Sequence, residues 1–145
     1  MSSHVAHLRI AGLLEQVSLA CDFVVEEARK AGLDDHAVYH CELAVDEACT
    51  NIVEHGFRLR GDQRSIDVFC HTDAQRFIIT LVDDAPPFNP LNQSDPDPYA
   101  PLDQRGSGGW GIHFIKQLMD ETSYQYKDNR NQLTLVKFLT AANRT

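Results

Sequence analysis

The chain has 145 residues, and 13 Lys+Arg against 21 Asp+Glu leave a formal charge of −8. That length predicts one domain, residues 1–145, with no room for a separate regulatory one. An apolar fraction of 43% with 8% aromatics is too rich for a disordered chain. The acidic balance argues against nucleic acid, whose phosphates need clustered Lys and Arg, and the densest basic stretch, Arg58-Leu59-Arg60, is diluted by Asp62.

His4, His7, Arg9 and Glu15 break the opening of the chain, so neither a signal peptide nor an anchor is expected. The longest apolar run, Phe77 to Val82 with Thr80 inside it, is far short of the roughly 20 residues that span a bilayer. Cys21, Cys41, Cys49 and Cys70 contain no Cys-x-x-Cys pair and read as buried, reduced thiols. A soluble, cytoplasmic protein with no membrane partner is expected.

In chain order, His7 to Ile10 predicts a short opening strand. Leu13 to Ala31 carries apolar residues at 13, 17, 20, 24 and 28, a helical stripe, with Gly32 placed to cap its C-terminus. Asp34 or Asp35 can cap a second helix running to about Phe57, with Val38, Cys41, Val45, Ala48 and Ile52 as its buried side. Ser65 to His71 and Gln75 to Asp83 read as strands joined by a turn at Thr72-Asp73-Ala74. Five of the six prolines lie between 86 and 98 and the sixth at 101, so the stretch 84–109 is a long loop, the first place to look for chemistry. A third helix is expected from about Trp110 to Met119, and a closing hairpin from Thr122 to Lys127 and Gln132 to Thr140 around a turn at Asp128-Asn129-Arg130-Asn131. These elements predict an α+β two-layer sandwich, a mixed but mostly antiparallel sheet with helices on one face.

Three places can carry chemistry. Glu47, Asn51 and His55 fall at i, i+4 and i+8 on the second helix, beside its apolar stripe. They form either a solvated row or a site in which Glu47 takes a proton and Asn51 offers its carbonyl oxygen to a hard cation such as Mg²⁺. Asp83 ends a buried strand and needs a donor, which is either a backbone amide of the next turn or the exocyclic amine of a bound purine. Gly106-Ser107-Gly108-Gly109-Trp110-Gly111 leads into an apolar helix, so it can cradle phosphates with backbone amides or serve as a flexible hinge.

Other motif readings fail. Residues 106–111 match G-x-G-x-x-G, but a proline-rich loop precedes them where a dinucleotide fold needs a strand. Ile112-His113 stands where a P-loop needs Lys-Ser/Thr, and neither His-Arg-Asp nor Asp-Phe-Gly is present. Ser107 lacks the strand–turn–helix setting of a nucleophile. His36 and His40, at i and i+4, have no third metal ligand at convincing spacing and read as solvated.

Taken in order, the three places resemble the GHKL (Bergerat-fold) ATP-binding superfamily. Glu42 to Gly56 is similar to its N-box, Asp83-Asp-Ala-Pro-Pro-Phe88-Asn-Pro to its first glycine box, and Gly106-Ser-Gly-Gly-Trp-Gly111-Ile to its second. Within it, Glu-Ala-x-Thr-Asn-x-x-x-His-Gly, Pro-Phe-x-Pro and Gly111 to Asp120 resemble the stand-alone anti-sigma factor serine kinases of bacteria. The resemblance covers nearly the whole chain. It implies Mg-ATP as cofactor, with Asn51 holding Mg²⁺ and Glu47 as general base. Asp83 would bind the adenine amine, with Ala85 and Phe88 in its box, and Gly106, Ser107, Gly108, Gly109, Trp110 and Gly111 would form the lid over the phosphates. Arg105, just before the lid, is a candidate to meet the γ-phosphate or the partner. The implied activity is phosphorylation of a serine on an anti-anti-sigma (STAS-type) partner, with a sigma factor as the other partner and a homodimer as the assembly.

Two positions depart from the family pattern. Ala85 stands where the first box commonly has glycine, which matters if that backbone needs φ > 0, and Trp110 replaces a smaller aliphatic residue. The alternative reading is a module that binds nucleotide and sequesters a partner with little or no kinase activity. A histidine kinase core is disfavoured because no phospho-accepting hairpin fits in the chain, and hydrolysis-driven machines need a transducer domain.

Overall fold

The first strand, β1 (Val5–Ala11), alternates its side chains so strictly that Ile10 is buried while Val5, His7 and Arg9 face outward. It is longer than the four residues expected, because pairing with its neighbour runs from Val5 opposite His71 to Ala11 opposite Ser65. The structure, a computed structural model, describes residues 4–57, 64–92 and 115–139.

A 3₁₀ turn at Leu14–Gln16 replaces the first turn of the expected helix, and α1 spans Val17–Lys30. Its buried side is Val17, Ala20, Cys21, Val24 and Ala28. Gly32 at φ +95° ends it: the Gly32 N–H reaches the Arg29 carbonyl and the Leu33 N–H reaches that of Ala28, while Leu33 buries its own side chain. That pair of reversed bonds with an apolar follower is a Schellman stop, which asks for a left-handed residue and finds glycine.

Helix α2 (Asp35–Asn51) is capped by Asp34, whose carboxylate accepts from the Ala37 N–H at 2.8 Å. The expected stripe is buried except Ile52, which is partly so, but the helix does not continue to Phe57 as an α-helix. It widens into a π turn at Ile52–Gly56, where the Phe57 N–H reaches back five residues to the Ile52 carbonyl at 2.9 Å. Such single π turns are rare and recur at functional sites.

Strands β2 (Ser65–Thr72) and β3 (Arg76–Asp83) form a hairpin whose turn is set by Asp73, accepting from the Gln75 and Arg76 N–H groups. Residues 115–118 are helical, and the expected start of that helix near Trp110 lies outside the described residues. Strands β4 (Glu121–Lys127) and β5 (Arg130–Phe138) close the sheet. Their turn is not the four residues expected. Asp128 and Asn129 alone make it, at φ 56° and 63°, the two left-handed positions that match the twist of a two-residue hairpin.

The sheet order is β1-β2-β3-β5-β4, and every pairing among the described strands is antiparallel. One face, with Ile66, Val68, Phe77, Ile79, Leu81, Leu133 and Leu135, packs in a single apolar cluster with the buried sides of α1 and α2. Small residues at Ala20, Ala28, Ala44 and Ala48 keep the helices close to one another and to the sheet. On the opposite face Asp67 is only 5% exposed. Burial alone would push its carboxyl up, but bonds from Arg9 (2.8 Å) and His7 (2.7 Å) hold it below the usual range. All four cysteines are buried and unbridged. No helix among the described residues is long and apolar enough to cross a membrane.

Candidate functional site

Two features of the fold bring distant residues together. Asn51 is the last residue of α2, where the π turn swings the backbone away, and Asp83 is the last of β3. Asp83 pairs across the sheet with Ile66 on one side and Asn131 on the other. Between these ends lies a pocket of about 400 Å³, counted out to its open mouth, to which Asn51, Asp83, Ala85, Phe88, Tyr124 and Asn131 contribute.

Asp83 is 4% exposed, and both hydrogen bonds it accepts from described residues enter Oδ1: the Ala85 N–H at 2.9 Å and the Asn131 amide at 3.0 Å. The backbone donor weighed from the sequence is therefore present, and it uses one oxygen of two. Burial raises the carboxyl's pKa, and the two donors offset only part of that. The carboxylate is thus held largely out of solvent, with an oxygen available to a donor from the pocket. Arg64 fixes the loop from its outer side, donating to the Asp84 carbonyl at 2.9 Å while lying over the Phe57 ring.

Asn51 is 5% exposed, and its Nδ2 has no hydrogen-bond partner among the described residues. A buried amide left unpaired costs about 1–3 kcal/mol, so it is the mark of a site built for something else. A half-turn of its amide exchanges nitrogen and oxygen, which suits it either to an acceptor such as a phosphate oxygen or to a hard cation. That single amide fits one ligand position of a Mg²⁺-bound phosphate group.

Glu47, one turn earlier on α2, is half-buried, and its carboxyl is raised by burial first and then by Asp46 and Glu54. It does not line the pocket. The Glu47–Asn51–His55 row expected on one helix is broken: His55 sits in the π turn and is exposed. Ala85 lines the pocket without strain, since Asp128 and Asn129 are the only non-glycine residues at positive φ among those described. The concern raised by its missing glycine is therefore met. Its methyl has room because position 56 is glycine: a Cβ there would lie 3.1 Å from that of Ala85. Phe88 lines the pocket with a 37% exposed side chain. His36 and His40 meet edge to ring, and Lys137 bonds His40 Nδ1 at 3.0 Å; no group of metal ligands occurs among the described residues. Arg105, Gly106, Ser107, Gly108, Gly109, Trp110 and Gly111 lie outside the described residues.

Two lining residues with polar side chains were not expected from the sequence, Asn131 and Tyr124. The four-residue turn expected from the sequence includes Asn131. Placing the turn at Asp128-Asn129 by its left-handed pair moves Asn131 into β5, opposite Asp83.

Comparison with known proteins adds a family to this geometry. The histidine kinase-like ATPase domain model matches residues 10–137. The serine-protein kinase RsbW of Bacillus licheniformis is 30% identical over 116 residues, covering 77% of this chain and 71% of that protein. The serine/threonine-protein kinase BtrW of Bordetella bronchiseptica is 30% identical over 93 residues, 64% of this chain and 65% of its own length. Among solved structures, the RsbU and RsbW domains of a Mycobacterium tuberculosis protein superpose with a TM-score of 0.62 at 16% identity, covering 93% of this chain and 32% of that one. The catalytic domain of histidine kinase ThkA gives 0.51 at 12% identity, covering 92% and 97%. The chain therefore belongs to the histidine kinase-like ATPase domain family, among the relatives of the RsbW serine-protein kinases.

Proposed function

We propose that the protein is an ATP-dependent protein serine kinase. It transfers the γ-phosphate of Mg-ATP to a serine of an anti-anti-sigma (STAS-type) partner and so governs release of a sigma factor. The observation that carries the reading is the pocket whose wall holds both the buried Asp83 carboxylate and the unpaired amide of Asn51. Kinship with the RsbW and BtrW kinases supports a protein serine as the acceptor.

In this reading Asp83 accepts a hydrogen bond from the adenine amine, and Ala85 and Phe88 flank the base. Asn51 holds Mg²⁺, which when bound supplies positive charge to the phosphate oxygens. Backbone N–H groups of Gly106 to Gly111, Ser107 and Trp110 among them, cover the phosphates, and Arg105 meets the γ-phosphate or the partner. Glu47 takes the proton of the attacking serine hydroxyl as its oxygen bonds to the γ-phosphorus. The β–γ bridging bond then breaks, and the electron pair leaves with ADP. The burial that raises the Glu47 carboxyl brings it closer to neutrality, where a base is both ionised and able to keep a proton. A homodimer in the reducing cytoplasm completes the reading, and sedimentation equilibrium tests the assembly.

The test is calorimetric titration with ATP, with and without Mg²⁺, on wild type and Asn51→Ala, followed by phosphate transfer to a purified STAS-type protein. Mg²⁺-dependent binding lost in the variant, with serine phosphorylation abolished by Glu47→Gln, is the expected result. Absence of ATP binding by the wild type overturns it. Binding without transfer to any serine favours a partner-sequestering module instead.

A further inference from the structure

The loop after β3 is held from below by the closing hairpin. Asn131 Nδ2 lies within bonding distance of Asp83 Oδ1 (3.0 Å), the Ala85 carbonyl (3.0 Å) and the Pro86 carbonyl (3.2 Å). Its Oδ1 accepts from the Phe88 N–H at 3.1 Å and from the Tyr124 hydroxyl. The Tyr124 oxygen is itself 3.2 Å from the Phe88 nitrogen.

A carboxamide offers two N–H donors and two lone pairs. Here three acceptors compete for the donors and two donors take the lone pairs, so Asn131 is fully engaged by protein atoms. It lines the pocket with nothing left over for a ligand, and any effect it has on one must pass through what it holds. What it holds is one oxygen of Asp83 and both ends of a four-residue loop, from Ala85 to Phe88.

Resting on the nucleotide reading above, we propose that Asn131, steadied by Tyr124, is the positioning residue that aims Asp83 at the base. An aspartate's χ2 is a broad torsion, and a carboxylate free to turn would present either oxygen over a range of angles. With Oδ1 pinned between the Asn131 amide and the Ala85 N–H, the carboxylate plane is fixed and Oδ2 becomes the oxygen that meets the exocyclic amine. The same amide bonds the two carbonyls that follow, so the loop reaches its shape by outside support rather than by a glycine at position 85. Asn131 thereby sets selectivity for bases that carry an amine without touching them.

The readout is a ratio. Affinities for ATP and for purine riboside 5′-triphosphate, which lacks the amine, are measured by calorimetry on the full chain for wild type, Asn131→Ala and Tyr124→Phe. Loss of one well-aimed bond to a charged acceptor predicts that Asn131→Ala lowers the ATP preference about tenfold while the analogue's affinity changes little. Tyr124→Phe removes a single hydroxyl and is expected to lower the preference by a smaller factor in the same direction. It carries the test if Asn131→Ala does not fold. An unchanged ratio in the variants, with both nucleotides weakened together or neither weakened, overturns the assignment and leaves only a structural role. A wild type that binds ATP without preferring it over the analogue overturns the amine contact of Asp83, and the positioning role with it. A wild type that binds neither nucleotide overturns the nucleotide reading itself.

Discussion

Replacing Asp83 by asparagine separates binding from stability, and the surroundings dictate how the new side chain sits. Two donors, the Asn131 amide and the Ala85 N–H, converge on one oxygen. An amide nitrogen turned toward them would face donors, so Asp83→Asn keeps its oxygen there and presents its NH₂ to the pocket. In the proposed binding mode the adenine amine would then meet a donor in place of an acceptor. Losing a charge-assisted bond is worth about 1.5–3 kcal/mol, and opposing two donors adds roughly 1–3, which together lower ATP affinity about 10²–10⁴-fold. The fold moves the other way. The carboxyl's pKa is raised in the native state, chiefly by burial, so the charged form is disfavoured there and the native state binds more protons than the unfolded one. At neutral pH wild type bears that penalty and the variant does not. The melting temperature of Asp83→Asn therefore equals or exceeds that of wild type at pH 7–8. The advantage shrinks as pH falls through the raised native pKa, and it vanishes below the unfolded carboxyl's ordinary value of about 3.9. Calorimetric titration and thermal melts from pH 4 to 8 check both halves. A variant that binds ATP within threefold of wild type, or that melts well below it at pH 7, would refute the reasoning.

Other changes have expected outcomes of different kinds. Gly12→Ala would place a methyl 2.5 and 2.6 Å from two ring atoms of Phe57, itself only 3% exposed, so overpacking of about 1–3 kcal/mol should appear as a melting point lowered by several degrees. Asp34→Ala removes the cap on α2 and should lower stability by about 1 kcal/mol in urea, with the slope of the transition unchanged. Because the Glu47 carboxyl is raised, phosphate transfer should fall on the acid side at a higher pH than an ordinary glutamate near 4.3 would give, while ATP binding by Glu47→Gln stays close to wild type. A pH–rate profile without that displaced limb argues for a different base.

Much of the fold could be read directly from residue pattern. Both helical stripes, the two cap positions and the alternation along β2 and β3 follow from local chemistry acting over a few residues. Asp83 and Asn51 could be singled out because a carboxylate ending an apolar strand and an amide bordering an apolar stripe each stand against the local pattern. What pattern could not supply was long-range register. Asp-Asn-Arg-Asn is polar throughout and reads by composition as one turn, whereas the chain bends at its first two residues alone, and that two-residue difference carried Asn131 out of view. The π turn was equally silent, since nothing in Ile-Val-Glu-His-Gly distinguishes a wide turn from an α-helical one; tertiary packing at the end of α2 decides it.

The buried cysteines make the molecule its own reporter of opening. Burial lifts the thiols of Cys21, Cys41 and Cys70 to about 12, and that of Cys49 further still. At pH 8 very little of each is thiolate, the form that alkylates, and each is shielded by the cluster around it. Iodoacetamide should therefore modify the chain only as fast as the interior exposes itself. The two helices and β2 carry separate probes, so mass spectrometry of the alkylated peptides would rank their opening without a single substitution. An added surface cysteine could take a dye selectively against that quiet background.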